Sequence, residues 1–196
     1  MDALQKSVTL LLNGREELSA HSKRVSELAS HFGISLRMGY RDLNNLKIGA
    51  LLHDIGKIEI PEDVLFKEGK LTDDEFSLIK EHPFRGYKLL TASARPFSKD
   101  ILDIVLEHHE RLDAKGYPFK REGQQINPLA KITSLCDVFD AITHARCYKD
   151  AYQVDFALQQ IESGLDRQFD RDLGKKFIAF INEKWTVSLK SDIDAI

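Results

Sequence analysis

Histidine and carboxylate side chains recur at short spacings in this sequence. Glu17 and His21 lie one helical turn apart and would face the same way, His53 directly precedes Asp54, and residues 108–109 are a His-His pair. Imidazole nitrogens and carboxylate oxygens without thiolates suit iron, manganese or zinc, whereas a structural zinc site usually recruits cysteine. Taken singly, each histidine could instead be a hydrogen-bonded core residue. Taken together, the spacings predict a metal site.

Several other catalytic patterns are missing from the sequence. It holds no G-x-G-x-x-G, no P-loop and no G-x-S-x-G, so Rossmann cofactor use, P-loop nucleotide hydrolysis and serine-hydrolase chemistry have no support. Its two cysteines, Cys136 and Cys147, have no cysteine or histidine at zinc-finger spacing. We therefore expect Cys136 to pack as a small apolar residue.

The composition is that of one globular domain. The chain has 196 residues, of which 42% are apolar and 30% are charged, which is enough apolar mass for a core. The apolar runs, such as Ala50–Leu52, are far shorter than a membrane-spanning helix, and the first residues lack a secretory signal. We expect a cytoplasmic protein without a membrane span. Because the net charge is −3, we expect no DNA binding and a local site for any phosphate ligand.

Helical periodicity runs through nearly the whole chain, and no alternating pattern indicates a strand. We predict an all-α fold, a compact bundle of about seven to eight helices with the metal site at its centre. The clearest helix starts are a capping box at Thr72 and Glu75 and N-caps at Ser98 and Asn127, and Gly33 is predicted to end a helix. Residues 112–128, rich in Gly and Pro, form a loop that is long for a compact domain, and loops of this length are usually functional or mobile. The predicted helices cover about residues 2–12, 15–32, 41–54, 73–82, 83–91, 99–111, 128–145, 154–163 and 170–185.

The order of these motifs resembles the HD-GYP family of cyclic dinucleotide phosphodiesterases. The resemblance extends over most of the chain, from about Glu17 to Asp170. An HD pair alone is shared by a broad superfamily, whereas the ordered series of motifs is specific. It implies an HD-domain-like fold with a long GYP loop over a polynuclear metal site. The stretches that carry it are HDIGKIEIPEDVLFKEGKLT from His53, HP at 82–83, HHERLDAKGYP at 108–118 and CDVFDAITHARCYK at 136–149.

The resemblance also implies the cofactors and their ligands. Two or three divalent metal ions are expected, iron or manganese first, with zinc, nickel or magnesium as alternatives. Asp54 would bridge two of them, and Glu17 matches a carboxylate that helps to hold a third in some members. Two cations about 3.5–4 Å apart can activate a shared water as a bridging hydroxide and neutralise charge on the phosphoryl oxygens. The implied ligands are Glu17, His21, His53, Asp54, His82, His108, His109 and Asp137.

Substrate contacts follow from the same resemblance. Lys57, just after the HD pair, looks like the family's phosphate-contacting lysine, and with Asp54 it is the expected catalytic group. The alternative for Lys57 is an interaction with a helix C-terminus. The groups that would hold the phosphates and bases are Lys57, Gly116, Tyr117, Pro118, Arg146 and Lys149, although Tyr117 could simply pack against the domain.

The implied function is hydrolysis of cyclic di-GMP to linear pGpG, GMP or both. Three alternatives stay open: a preference for 3′3′-cyclic GMP-AMP, a non-catalytic cyclic dinucleotide receptor or protein-interaction module, and another reaction of the HD superfamily. The GYP segment argues against the last of these. Family members commonly follow sensor or receiver domains, so such domains, diguanylate cyclase-type proteins and a second copy of the chain are expected partners. We divide the chain into an N-terminal helix at 1–14, either a connector stump or the start of a stand-alone enzyme, a catalytic domain at 15–186 and a tail at 187–196.

The loop of the GYP motif departs from the family pattern at one residue. The family usually has glycine after the aspartate of its HHExxDGxGYP segment, whereas here Asp113 precedes Ala114. Because alanine resists positive φ, we expect this change to restrain the loop. Lys115, Lys120 and Arg121 are predicted to form a solvated loop face that could draw a dinucleotide toward the site.

Overall fold

Helices make up the regular structure of the chain. The computed structural model describes residues 16–94, 96–144 and 154–193. Within these ranges there are eight helices of seven or more residues, one helix of four residues and no strand beyond two isolated bridges, which confirms the all-α prediction. In chain order they are α1 (Glu16–Ser35), α2 (Tyr40–Leu52), α3 (Glu62–Leu65), α4 (Asp73–Ile79), α5 (His82–Thr91), α6 (Lys99–Glu107), α7 (Pro128–Thr143), α8 (Val154–Ser163) and α9 (Arg171–Ile193), with 3-10 turns at Ile55–Glu59 and Gly123–Gln125.

The larger apolar core joins α1, α2, α7, α8 and α9. Fully buried side chains from these helices meet there, among them Phe32, Leu46, Leu135, Ile161 and Phe177. The rings of Phe32 and Phe177 meet edge to face, with their centroids 5.0 Å apart. This cluster holds together the long helices from which several of the predicted metal ligands project.

A smaller apolar cluster lies beneath the HD pair. Leu52 and Ile55, which flank His53 and Asp54 in the sequence, are both buried in it beside Leu90 of α5. Because residues on both sides of the pair are fixed by packing, the turn between α2 and the 3-10 segment has a defined position relative to α5 and α6.

The predicted helix starts with side-chain caps are confirmed. At α4 the backbone N–H of Glu75 donates to Thr72 Oγ1 at 3.2 Å, and the backbone N–H of Thr72 donates to Glu75 Oε2 at 2.8 Å. Ser98 caps α6, and Asn127 Oδ1 caps α7 by accepting a hydrogen bond from the N–H of Leu129 at 2.8 Å. These signals involve residues two or three positions apart, so the local sequence is enough to place them.

Several helix ends differ from the prediction. Helix α1 continues through Gly33 and ends with Arg37 in the left-handed region at φ 56°, where the N–H of Met38 donates to the carbonyl of Gly33. This is a Schellman closure in which a non-glycine residue takes the left-handed position. Helix α2 ends at Leu52, before the HD pair, and α6 ends at Glu107, before the two histidines that follow it. Helix α9 runs past the predicted end at 185.

Some predictions fall outside the residues that the structure describes. They are the helix at 2–12 and the two substrate contacts Arg146 and Lys149. The division of the chain at residues 14 and 186 stays a prediction. In the part of the chain with a described structure, no helix combines the length and the apolar character needed to cross a membrane.

Candidate metal centre

Asp54 lies at the centre of the site, and its two carboxylate oxygens face different histidines. Oδ1 is 3.1 Å from Nε2 of His82 and 3.8 Å from Nε2 of His108. Oδ2 is 3.5 Å from Nε2 of His53 and 3.8 Å from Nε2 of His21. All five side chains are buried. One carboxylate therefore stands between two sets of imidazoles, as expected for a bridging ligand.

The first set combines residues from three helical segments. His21 projects from α1, His53 follows the last residue of α2, and Asp137 lies in the middle of α7. Asp137 Oδ1 is 3.0 Å from Nε2 of His21 and 3.7 Å from Nε2 of His53. The three ligand atoms lie within 4.8 Å of one another, close enough to share one metal ion.

The second set lies on the other side of Asp54. His82 is the first residue of α5, and His108 and His109 directly follow α6. Together with Asp54 they form a second group of ligand atoms that lie within 4.8 Å of one another. Seven of the eight predicted ligands therefore meet in two groups.

Hydrogen bonds to carbonyl oxygens fix three of the rings. Nδ1 of His53 lies 2.7 Å from the carbonyl of Ala50, Nδ1 of His82 lies 2.8 Å from that of Ile79, and Nδ1 of His108 lies 3.0 Å from that of Val105. Because a carbonyl can only accept, each Nδ1 must carry the hydrogen, and each neutral ring presents a bare Nε2 to the centre. This is the arrangement in which metal-binding histidines are usually held.

The donor set of the second group fits a cation. Nε2 of His82 and Nε2 of His108 are 3.2 Å apart, and with both hydrogens on Nδ1 their lone pairs point at each other. On the Asp54 side, the buried Oδ1 has no hydrogen-bond partner, and neither does the buried Nε2 of His53. Buried acceptors that face one another are costly unless a positive charge lies between them, so these residues fit divalent metal ions.

Burial sets the protonation of the second group. It lowers the pKa of His82, lowers that of His108 well below its ordinary value, and lowers that of His109 to about 3. For Asp54, burial acts to raise the pKa, but the ammonium of Lys57 holds it well below its usual range. At neutral pH the group is thus three neutral imidazoles and one carboxylate, each with lone pairs available.

The first group behaves differently because His21 faces two carboxylates. Burial lowers the pKa of His21, but hydrogen bonds to Asp137 and Asp140 outweigh it and raise the pKa to about 9. A metal ion at this group must therefore displace a proton from His21 at neutral pH. Hydrogen bonding and charge from His21 keep the pKa of Asp137 well below its usual range despite its burial.

Glycine allows the HD turn to approach α5 closely. A Cβ on Gly56 would lie 2.0 Å from the carbonyl oxygen of His82 and 2.5 Å from the backbone nitrogen of Gly86. No larger residue fits without moving the backbone that carries His82. The glycine of the HDIGK motif therefore sets the distance between Asp54 and the second histidine group.

Lys57 reaches the same carboxylate from the 3-10 turn. Its Nζ lies 2.6 Å from Asp54 Oδ2, and its side chain is mostly buried. It follows Asp54 by three positions, which is about one turn. The lysine thus places a positive charge at the edge of the metal groups, where the sequence predicts a contact with phosphate.

The GYP loop lies against His109 and is held by buried carboxylates. The rings of Tyr117 and His109 are 4.7 Å apart at their centroids. Glu110, buried, accepts hydrogen bonds from the backbone N–H groups of Phe119 at 2.6 Å and Arg121 at 2.9 Å. A Cβ on residue 116 would lie 2.5 Å from the backbone of residues 109–111, so glycine is required there.

Arg121 corrects one prediction about this loop. Its guanidinium donates to Glu107 Oε1 at 2.6 Å, and Glu107 is buried. It is therefore a structural ion pair and not part of a solvated face, whereas Lys115 and Lys120 are exposed as predicted. Ala114 does adopt the left-handed region, at φ 56°, so the loop keeps a glycine-like conformation with alanine in place.

Three predicted site residues lie apart from the groups or outside the described residues. Glu17 is exposed and belongs to neither ligand group, but it lines a cavity together with His21 and Lys57. Its role as a ligand of a third metal stays a prediction. Arg146 and Lys149 lie outside the described residues.

Asp140 was not among the predicted site residues. This buried carboxylate lies 2.7 Å from Nδ1 of His21, and it also accepts two hydrogen bonds from the guanidinium of Arg24. The signal was present in the sequence, because Asp140 follows Asp137 by three residues on α7 and so lies on the same helix face. Glu107 and Glu110 were also not predicted, although they directly flank the His-His pair in the sequence.

An all-helical domain that gathers histidines and aspartates in two groups around one shared carboxylate is a metal-binding domain of the HD type. A model of the HD domain family matches residues 7–173 of this chain. The chain belongs to the HD domain family, and its resemblance to the HD-GYP proteins within it is confirmed.

Similar proteins come from several bacteria. The chain is 41% identical over 152 residues to the cyclic di-GMP phosphodiesterase response regulator RpfG of Xanthomonas campestris, covering 78% of this chain and 40% of that protein. It is 31% identical over 169 residues to 3′3′-cGAMP-specific phosphodiesterase 2 of Vibrio cholerae, covering 86% of this chain and 32% of that protein. The chain thus spans well under half the length of these relatives.

A solved structure shares the fold. Bd1817, an HDG"Y"P protein from Bdellovibrio bacteriovorus, superposes with a TM-score of 0.69 at 17% sequence identity, covering 92% of this chain and 61% of that one. At this level of identity the similarity supports the helical architecture alone. The two ligand groups are seen in the structure of this chain itself.

Proposed function

We propose that this chain is a metal-dependent phosphodiesterase that hydrolyses a cyclic dinucleotide, with cyclic di-GMP as the first candidate and pGpG, GMP or both as products. The observation that carries the proposal is the position of Asp54, whose two oxygens face two separate imidazole groups. Such a shared carboxylate suits a binuclear site, and binuclear sites are common in phosphodiester hydrolysis. Iron and manganese fit the mixed nitrogen and oxygen donors, with zinc, nickel or magnesium as alternatives.

Different residues of the chain would bind the metal ions and supply positive charge to the substrate. When bound, the divalent ions supply positive charge to the phosphoryl oxygens and lower the pKa of water. The carbonyl-bound histidines keep their Nε2 atoms aimed at the centre, so little reorganisation is needed during the reaction. Lys57 adds a further positive charge beside Asp54, where a phosphoryl oxygen would gain negative charge. Tyr117, stacked on His109, borders the space in which a nucleotide would lie.

One alternative has specific support. The similarity to a 3′3′-cGAMP-specific enzyme supports a preference for the mixed guanine–adenine dinucleotide. A non-catalytic receptor would keep the fold and the ligand groups without turnover. We further propose that a third metal at Glu17, contacts from Arg146 and Lys149, and association with a second copy or with sensor, receiver or diguanylate cyclase-type domains belong to the complete protein.

The test is product analysis on metal-loaded protein. We would purify the protein anaerobically, load it with iron or manganese, measure metal content, and identify the products formed from cyclic di-GMP and 3′3′-cGAMP. Turnover of either substrate supports the proposal, and Asp54→Asn should abolish it because both ligand groups lose their shared charge. Inertness toward both substrates would overturn the hydrolysis, and binding without cleavage would favour the receptor.

A further inference from the structure

Helix α4 carries a large aromatic side chain that is not buried in either apolar cluster. Phe76 is 48% exposed, and no residue of α4 is buried. The helix is nevertheless well held, because it begins with the capping box at Thr72, and Lys67 donates to both carboxylate oxygens of Glu75 at 2.7 Å. Its local interactions fix α4 in place while leaving one aromatic face uncovered.

Phe76 borders two cavities that open on opposite ligand groups. One cavity, of about 300 Å³, is lined by Phe76 together with His21 and Lys57. The other, of about 350 Å³, is lined by Phe76 together with His109 and Tyr117. Each cavity has a volume near the lower end of the range for small-molecule binding sites, which is roughly 300 Å³. The ring therefore stands between the spaces on either side of the metal centre.

Both cavities combine apolar and basic side chains. The walls of the first include Val64, Leu65, Leu71 and Ile79 beside the cations of Arg24 and Lys57, which are paired with Asp140 and Asp54. The second carries positive charge, because Lys80, Lys115 and Lys120 line it beside Tyr117. An apolar wall suits a nucleobase, and a group of lysines suits a phosphate.

Lys80 links the aromatic ring to this charge. It lies one helical turn after Phe76, and its Nζ is 4.5 Å from the centroid of the ring. Aromatic faces bind nucleobases by stacking. A nearby cation strengthens this stacking and can also form an ionic contact with the adjacent phosphate.

We propose that Phe76 and Lys80 form a nucleotide-binding pair, in which the ring stacks on a base of the substrate and the ammonium contacts the phosphate that is not being cleaved. The proposal rests on the proposed function, because a cyclic dinucleotide with one phosphate at the metal groups must place its two nucleosides on either side. The second phosphate then lies away from the metals and near the lysines of the second cavity. The pair determines substrate affinity and takes no part in bond cleavage.

Helix α5 provides a matched control. Phe84 is 42% exposed, and Lys88 lies one turn later with its Nζ 4.5 Å from the ring centroid. The two pairs thus share residue types, spacing and exposure. Phe84 and Lys88 line neither of the two cavities. The two pairs therefore differ in position, because Phe76 borders the cavities beside the metal groups and Phe84 does not.

The experiment measures binding and turnover separately. Metal-loaded wild type, Phe76→Ala, Phe76→Tyr, Lys80→Gln, Phe84→Ala and Lys88→Gln would be titrated with the phosphorothioate analogues of cyclic di-GMP and 3′3′-cGAMP, which resist hydrolysis. Thermal melting of each variant checks the fold. We expect Phe76→Ala to raise Kd about tenfold or more, as loss of one stacked base does, while Phe76→Tyr retains most of the affinity. Lys80→Gln should raise Kd several-fold and weaken its dependence on salt.

The outcomes separate this pair from the proposed hydrolysis. Equal Kd values for Phe76→Ala and Phe84→Ala would overturn the nucleotide-binding pair, and turnover by wild type would leave the proposed function standing. Tight binding by wild type that Phe76→Ala weakens, without any turnover of the natural dinucleotides, would support the pair and overturn the hydrolysis. Failure of wild type to bind either analogue would overturn the pair, whereas the proposed hydrolysis would be overturned only by inertness toward both natural dinucleotides.

Discussion

The carboxylate of Asp140 accepts a hydrogen bond from Nδ1 of His21 at 2.7 Å. This contact turns Nε2 of His21 toward Asp137 and Asp54, so a residue that belongs to neither ligand group orients a ligand in one of them. The guanidinium of Arg24 in turn holds Asp140 through two hydrogen bonds, at 2.7 and 2.8 Å. The chain of contacts from Arg24 to His21 ties α1 to α7 at the metal centre.

Asp140→Asn should weaken metal binding without removing a ligand. Loss of such a carboxylate partner typically reduces metal affinity about 10- to 100-fold, because the ring loses its orientation and basicity. The measurement is competition for the metal against a chelator of known affinity. Arg24→Gln is the control, since it leaves the contact between Asp140 and His21 in place and should have a smaller effect. Equal affinities of Asp140→Asn and wild type would contradict the role of this contact.

Metal affinity should also depend on pH through His21. Its pKa is about 9 because Asp137 and Asp140 outweigh its burial, so a proton competes with the metal below that pH. The apparent affinity should therefore rise about tenfold per pH unit between pH 7 and pH 8.5 and level off near pH 9. Chelator competition at several pH values measures this slope. In His21→Gln the affinity should be weaker and its slope flatter, and an unchanged slope would assign the proton to another group.

Lys57→Met should slow the reaction while leaving the metals bound. The ammonium contacts Asp54 Oδ2 but donates no lone pair, so it cannot be a metal ligand. Loss of a single charge that stabilises a transition state costs on the order of 100-fold in kcat. Metal content by mass spectrometry and kcat with the cyclic dinucleotide would be measured on the same sample. Parallel loss of metal and rate would instead mean that Lys57 acts by holding Asp54 in place.

Glu110→Gln should loosen the GYP loop. In this variant an amide nitrogen replaces one carboxylate oxygen and cannot accept the hydrogen bond that the N–H of Phe119 or Arg121 donates. A buried unsatisfied group costs about 1–3 kcal/mol. The free energy of unfolding should fall by that amount, and KM should rise because Tyr117 is less well placed. Gln124→Ala, at an exposed position in the same loop, is the control and should change the stability by less than about 0.5 kcal/mol. A stability equal to that of wild type would show that Glu110 does not hold the loop.

Ala114→Gly should stabilise the chain. Alanine at φ 56° is in the left-handed region, which costs a residue with a Cβ about 1–2 kcal/mol, whereas the added freedom of glycine in the unfolded chain costs about 0.4–1 kcal/mol. The free energy of unfolding should therefore rise by about 0.5–1 kcal/mol in chemical denaturation. Ala20→Gly, at an exposed position inside α1, should change the stability in the opposite direction by about 1 kcal/mol. A loss of stability in Ala114→Gly would show that the loop does not hold residue 114 in this conformation.

The helical class and the capped helix starts could be predicted because their causes lie within a few residues. The capping box at Thr72 and the cap at Asn127 depend on contacts to residues two or three positions away. The end of α1 could not be predicted in the same way. The chain passes Gly33 and turns at Arg37, which takes a left-handed conformation that its residue type does not signal.

The candidate metal ligands could be predicted from the sequence, because the order of its histidine and aspartate motifs resembles that of a known family and because imidazole and carboxylate chemistry belongs to residue types. Only the tertiary structure decided that Asp54 offers one oxygen to each group, that Asp140 orients His21, and that Arg121 pairs with the buried Glu107. These relationships join residues that packing brings together from α1, α2, α5, α6 and α7. The physical reason is that a side chain's charge and donors are local properties, whereas the direction of a lone pair and the desolvation of a carboxylate depend on every segment packed around them.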